Sequence, residues 1–208
     1  MKILIITSLL FAFLIDSAAG LQRWQRDIYI GITQPGGGTH LKNWQAGPSG
    51  GFGLSYSLTS KAVHTPEIFF TSQILYAYMQ HSGKPPSELP ILPAVGYELH
   101  VSAESARAID ISTGLNLRMA GSQSKVSPIF SITGGIFHAW TGRIEAWYGD
   151  WKRPHPFAER DRMLIPFIRP GLGVELRIWD HYRLKTEGRI AISEREAIDY
   201  LLTTSFSW

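Results

Sequence analysis

The stretch Ile198-Asp-Tyr-Leu-Leu-Thr-Thr-Ser-Phe-Ser-Trp208 decides how this chain is read. Tyr200, Leu202, Phe206 and Trp208 fall on one parity with Thr204 among them; Asp199, Thr203, Ser205 and Ser207 fall on the other, broken by Leu201. Residues two apart on a strand share a face, so the stretch is a strand with one apolar side and one polar side. An apolar face needs protein or lipid to cover it. The rest of the chain has to say which.

Moving upstream, the same grammar recurs. Tyr182, Leu184, Ile190 and Ile192 alternate with Arg183, Lys185, Glu187 and Arg189, and Ile168, Pro170, Leu172, Val174, Leu176 and Ile178 alternate with Arg169, Gly171, Gly173, Glu175 and Arg177. Ile109, Ile111, Leu115, Leu117 and Met119 oppose Asp110, Ser112, Gly114, Asn116 and Arg118. Between Ile91 and Val101 the apolar parity opposes Ala94, Gly96, Glu98 and His100. Residues 27–33, 51–59, 68–80 and 126–140 read as strands too, and 144–150 as a strand of poorer alternation. No helical period competes beyond residue 20, which predicts one all-β domain over 21–208.

Hydrophobic residues make up 44% of the 208 and charged ones only 18%, low against a usual share of about 25%. A surface that is not wholly wet fits that balance. The net charge is +3, but the basic residues are scattered, which argues against nucleic acid as a partner. Without cysteine there is no disulfide, thiol chemistry or lipidated N-terminal cysteine. Met1-Lys2, the largely apolar run 3–15 and Ser17-Ala18-Ala19-Gly20 follow the order of a secretory signal peptide over 1–20. That run is shorter than the roughly 20 residues of a spanning helix.

A sandwich and a membrane barrel both alternate, so the contents of the faces must decide. The polar face carries Glu98, Asp110, Arg118, Arg169, Glu175, Arg177, Arg183, Lys185, Glu187 and Arg189 among glycines and serines. Inside a narrow barrel these charges would pair, with an excess of two cations, while the apolar faces meet lipid. An export signal and an aromatic closing strand favour that arrangement: a closed antiparallel transmembrane β-barrel. A count of ten strands puts the polar loops 34–50, 81–90 and 151–161 at one end. It puts the turns 60–66, 102–106, 141–143 and 179–181 at the other. Eight strands result if two segments lie outside the barrel. The closing strand is expected to pair with 182–192 and with 27–33.

With Tyr200, Leu202, Phe206 and Trp208, the last strand resembles the C-terminal signal of bacterial outer-membrane β-barrel proteins. Trp208 stands where that family usually has Phe, and Thr204 is a second departure. The texture of G-F-G-L-S-Y-S-L-T (51–59) and L-P-I-L-P-A-V-G-Y-E-L (89–99) is similar to small members of the family. The resemblance implies an outer-membrane location, lipid as the surrounding partner, and recognition of the four residues by the barrel-assembly machinery.

Chemistry is sparse. Gly36-Gly37-Gly38 lacks the lysine and helix of a phosphate loop, and the seven histidines (40, 64, 81, 100, 138, 155, 181) show no metal spacing. Glu98, His100 and Asp110 would be needed together to orient a general base; inward polar filling is the plainer reading. Ser72 has no base near it in sequence. No catalytic residue, metal or cofactor is therefore expected. The sequence predicts an integral barrel with a structural, adhesive or surface-interaction role and a lumen filled by paired charges. A barrel enzyme acting on lipid or peptide is one alternative, and a secreted sandwich or lipocalin-like binder is another. Tyr76, Tyr78, Trp140, Trp147, Trp151, Trp179 and Trp208 are expected in interfacial girdles.

Overall fold

The computed structural model describes residues 24–36, 44–59, 66–82, 99–121, 123–148, 155–179, 182–193 and 197–208. The signal peptide of 1–20, the strand reading of 91–98 with Glu98, and Trp151 lie outside these residues. Alternation delivers eleven strands among the described residues: β1 (Trp24–Pro35), β2 (Gly47–Ser57), β3 (Glu67–Met79), β4 (Leu99–Ala103), β5 (Ala106–Arg118), β6 (Val126–Thr141), β7 (Ile144–Tyr148), β8 (His155–Ala158), β9 (Asp161–Arg177), β10 (Arg183–Ile192) and β11 (Ala197–Ser207).

Eight of them close an antiparallel barrel in the order β1-β11-β10-β9-β6-β5-β3-β2. Closure satisfies every strand edge, which an open sheet in lipid does not do. β11 is the seam: Ser207 stands opposite Asp27 of β1 and Arg183 of β10. The backbone N–H groups of Arg26 and Trp208 each donate to the other's carbonyl, at 3.0 and 3.1 Å.

The barrel has eight strands rather than the favoured ten, because two segments leave the wall. β4 pairs with β7, from Leu99 opposite Tyr148 to Ala103 opposite Ile144, and β8 adds to β7. The wall has no room for them. β3 and β5 pair along their whole lengths, Glu67 with Arg118 through Met79 with Ala106, and β6 pairs with β9 from Val126–Leu176 to Thr141–Asp161. Residues 102–105 and 141–143, expected at the end holding the termini, therefore belong to the opposite, outer end.

Parity sorts the faces as the alternation predicts. Ile30, Leu54, Phe70, Ile111, Ile132, Leu172, Ile190 and Leu202 point outward and are exposed. From Ile109 on β5 to Met119 just past its end, ten steps at about 3.3 Å each and a tilt of about 40° span about 25 Å. That matches the height of a hydrocarbon belt. The aromatic rows at its two edges include Tyr76, Tyr78 and Trp140 at the outer end. At the other end Tyr182 stacks on Phe206 at 5.5 Å between ring centroids, and Phe206 meets Trp208 at 6.0 Å. Trp147, expected in a girdle, stacks on His100 in the three-stranded sheet instead.

Inside, the outer end of the barrel is apolar. Ala77, Met79, Ala106, Ala108, Phe137, Ala139, Phe167 and Ala191 are buried there with Trp44 and Ile144, and Val101 and Ala103 of β4 pack against them. The three-stranded sheet thus sits over a plugged mouth. Below the plug the interior is polar.

Candidate functional site

The polar interior is built from inward positions of all eight barrel strands and falls into three tiers. Nearest the termini, Arg118 at the end of β5 pairs with Glu67 across the β3–β5 ladder. Its other Nη donates to Glu175 of β9 at 2.9 Å. Arg183 of β10 donates to the same carboxylate at 2.7 Å, and the Arg118 guanidinium lies 4.5 Å over the Phe69 ring. Asp27 accepts from the Ser55 hydroxyl at 2.8 Å and from Ser207. One carboxylate serving two guanidiniums is the economy a narrow lumen imposes.

The middle tier centres on Glu187. It accepts from Arg189 at 2.7 Å, lies 3.3 Å from the Lys185 ammonium, and takes the Ser131 hydroxyl. Arg189 also donates to Gln73 at 2.7 Å, and Gln73 donates to Ser112 at 3.0 Å. Tyr29 fills the space beside them, with the Lys185 and Arg189 charges 5.6 and 5.8 Å from its ring. The bulk fits because the facing positions are glycine. A Cβ on Gly53 would stand 2.8 Å from the Tyr29 ring, and one on Gly171 2.5 Å from Glu187 Oε1.

The third tier lies directly under the apolar plug. Arg169, with no exposed side-chain surface, pairs with Asp110 and donates to both oxygens of Asp199 at 3.1 and 2.9 Å. Its guanidinium rests 4.2 Å over the Phe167 ring. Buried charges persist when paired and hydrogen-bonded; among the described residues every buried carboxylate here but Asp27 meets a cation, and Asp27 is held by the Ser55 and Ser207 hydroxyls.

Of the ten charges the sequence places inside, Asp110, Arg118, Arg169, Glu175, Arg183, Lys185, Glu187 and Arg189 are buried there. Arg177 is only half-buried, at the barrel end, and Glu98 lies outside the described residues. Asp27, Glu67 and Asp199 are also buried in the lumen and were missed. Each is the lone acid of its strand's inward face, so no local cluster flagged it; parity alone marks all three. With them the buried set holds six carboxylates (Asp27, Glu67, Asp110, Glu175, Glu187, Asp199) and five cations (Arg118, Arg169, Arg183, Lys185, Arg189). The expected excess of two cations is therefore absent among the described residues.

His100 and Asp110, expected near each other with Glu98, do not come together. His100 stacks on Trp147 in the outer sheet, whereas Asp110 is inside the barrel on Arg169. Ser72 is on the outward face, half-buried. Among the described residues no three His, Cys, Asp or Glu side chains gather as metal ligands. The interior holds a polar cavity of about 20 Å³ bordered by Asp27, Asn116 and Lys185, and one of about 10 Å³ below Phe137. Each is about the size of one water.

A closed barrel with paired charges inside and an apolar belt outside is a membrane-spanning barrel of the bacterial outer-membrane type. No family model matches the sequence, and no curated protein does. Among solved structures, the chain is similar to Ail, the attachment invasion locus protein of Yersinia pestis (8% identity, TM-score 0.45, covering 90% of this chain and 100% of that one). It is similar also to Neisserial surface protein A (10%, TM-score 0.46, 88% and 94%) and to the outer membrane enzyme PagL (10%, TM-score 0.42, 88% and 97%). Likenesses this distant decide nothing about activity, which has to be read from the barrel and its contents.

Proposed function

We propose that the protein is a non-conducting outer-membrane barrel with a structural or adhesive role, whose working surface is the outer end capped by β4, β7 and β8. One observation carries the reading. Three tiers of ion pairs and an apolar plug follow one another along the lumen, and the cavities of about 20 and 10 Å³ between them each have room for about one water. A barrel of eight strands is just wide enough to be filled by its own side chains. The plug continues into the outer sheet through Val101, Ala103 and Ile144, so the wall and the surface sheet are one packed body. Such a body is suited to presenting a fixed surface rather than to opening.

In the same reading, lipid is the partner of the belt, and the barrel-assembly machinery is the partner of β11, whose Tyr200, Leu202, Phe206 and Trp208 share the outward face. The test is reconstitution of the folded protein into a planar bilayer, with fractionation of cells in parallel. The expected result is recovery in the outer-membrane fraction, a gel mobility that shifts on heating, and no stable conductance steps. Sustained single-channel steps, or recovery as a soluble periplasmic protein, would overturn it.

A further inference from the structure

The strand register places Tyr78, Arg107, Trp140 and Arg162 side by side across β3, β5, β6 and β9. All four are on the outward face; Arg107 and Arg162 are exposed, and Tyr78 and Trp140 are half-buried between and beside them. Two residues further into the belt the row is Tyr76, Ile109, His138 and Leu164, and the next is Ile74, Ile111, Ile136 and Pro166. The arginine row is thus the first charged row above the hydrocarbon, at the level of lipid headgroups. It lies on the face away from the ion pairs of the lumen.

The charges near this row divide into two sorts. Arg160 is locked to Glu104 by two hydrogen bonds of 2.8 and 2.7 Å, and Arg143 lies 3.2 Å from Glu145 and 3.9 Å from Glu159. Arg107 and Arg162 have no ion-pair partner among the described residues; the Asp161 carboxylate is taken by the backbone N–H of Arg162. Beside Arg107, which lines it, opens a cavity of about 700 Å³, with Tyr76, Ile109 and Trp140 on its barrel side and the Glu104–Arg160 pair on the other; Arg162 stands across Trp140 from it. Sites for small ligands have volumes of this order.

We propose that this face binds the phosphorylated headgroup of an outer-leaflet lipid. Arg107 and Arg162 hold phosphate, and Trp140 and Tyr76 lie against the body of the headgroup and the first acyl carbons. Guanidinium matches phosphate oxygens in a fork geometry. The two arginines are two strand spacings apart, about 10 Å, on either side of the Trp140 ring. A soluble anion would be served by the arginines alone. Below them the row of Tyr76, Ile109, His138 and Leu164, with His138 packed on Trp140 at 4.0 Å between ring centroids, leads into the wholly apolar row of Ile74, Ile111, Ile136 and Pro166, which fits a ligand with acyl chains.

The inference rests on the barrel standing in a membrane, and its test separates the two. Protein in detergent is titrated with diphosphoryl lipid A or its dephosphorylated counterpart, and retained lipid is read by native mass spectrometry. Wild type is expected to prefer the phosphorylated lipid, and Arg107→Gln and Arg162→Gln each to lose about tenfold of that preference. Arg107→Lys is expected to restore part of it. All variants should keep the heat-shifted mobility of the folded barrel, because both side chains are exposed. Equal retention of the two lipids by wild type, or an undiminished preference in the double Gln variant, would overturn the proposal. So would displacement of the lipid by millimolar inorganic phosphate, which would mark a soluble-anion site. Loss of folded mobility in wild type would instead count against the membrane barrel itself.

Discussion

Replacing Arg169 with methionine tests whether the lumen is as filled as its geometry indicates. The guanidinium has no exposed surface and holds two carboxylates, Asp110 through one Nη and Asp199 through the other. Methionine approximates its stem, keeps contact with the Phe167 ring and removes the charge. Two buried carboxylates are then left facing each other without a cation. Breaking a buried ion pair by removing one partner costs about 3–5 kcal/mol. With a urea slope of about 2 kcal/mol/M, the unfolding midpoint should fall by about 2 M. The assay is urea unfolding of the reconstituted barrel, followed by tryptophan fluorescence and by the heat-shifted gel band. Adding Asp110→Asn and Asp199→Asn to Arg169→Met should recover more than half of the loss, since the two amides can hydrogen-bond to one another. If Arg169→Met alone stays within about 0.5 kcal/mol of wild type, the scale of an ordinary surface change, the carboxylates must be hydrated. The lumen would then be open to water, and the reasoning behind a non-conducting barrel would fail.

Two more outcomes can be checked directly. Hydrogen bonds from the Arg160 guanidinium, then from the Arg143 backbone N–H, hold the Glu104 carboxyl at about 2, below its ordinary value of 4.5. A carboxyl depressed in the folded state contributes stability above its unfolded value and loses it as pH falls through the folded one. The Glu104–Arg160 pair should therefore survive to about pH 3 and part near pH 2; a ¹³C carboxyl titration by NMR that finds Glu104 at its ordinary value would contradict this, and Arg160→Gln should move Glu104 up toward that value while the Arg143 backbone N–H still holds it below. Replacing both Phe206 and Trp208 with Ser strips the aromatic row that stacks on Tyr182 at the seam, and the folded, heat-shifted form in the outer-membrane fraction should drop sharply. A normal level of the folded form would show that assembly does not read these side chains.

Much of the wall was legible because alternation is a local property. A strand half in lipid must repeat every two residues, and in β9 Arg169, Gly171 and Glu175 against Ile168, Leu172 and Val174 already state which side is which. The same period carried Asp199 to the inward face of β11. It did not reveal Arg169 as its partner, thirty residues away, because ion pairing across a lumen depends on register and strand tilt. Glu67 was missed for a related reason. It begins β3 beside a polar turn, where an acid looks solvated until Arg118 closes over it.

The two faces of the wall strands and the lipid-facing belt were thus determined by sequence alone, each being set by neighbours two residues apart or by the greasiness of one face, whereas β8 (His155–Ala158) lies within the expected loop 151–161 and β9 begins at Asp161 rather than at 168. The number of strands in the barrel was decided only by tertiary structure. Residues 91–101 alternate as cleanly as many wall strands, yet Leu99–Ala103 pairs with Ile144–Tyr148 above the mouth, because β3, β5, β6 and β9 already satisfy each other's edges along their whole lengths. The balance of six buried carboxylates against five cations, the apolar plug and the arginine row around Trp140 arise the same way. Each joins residues far apart in sequence, and only closure of the sheet sets which of them meet.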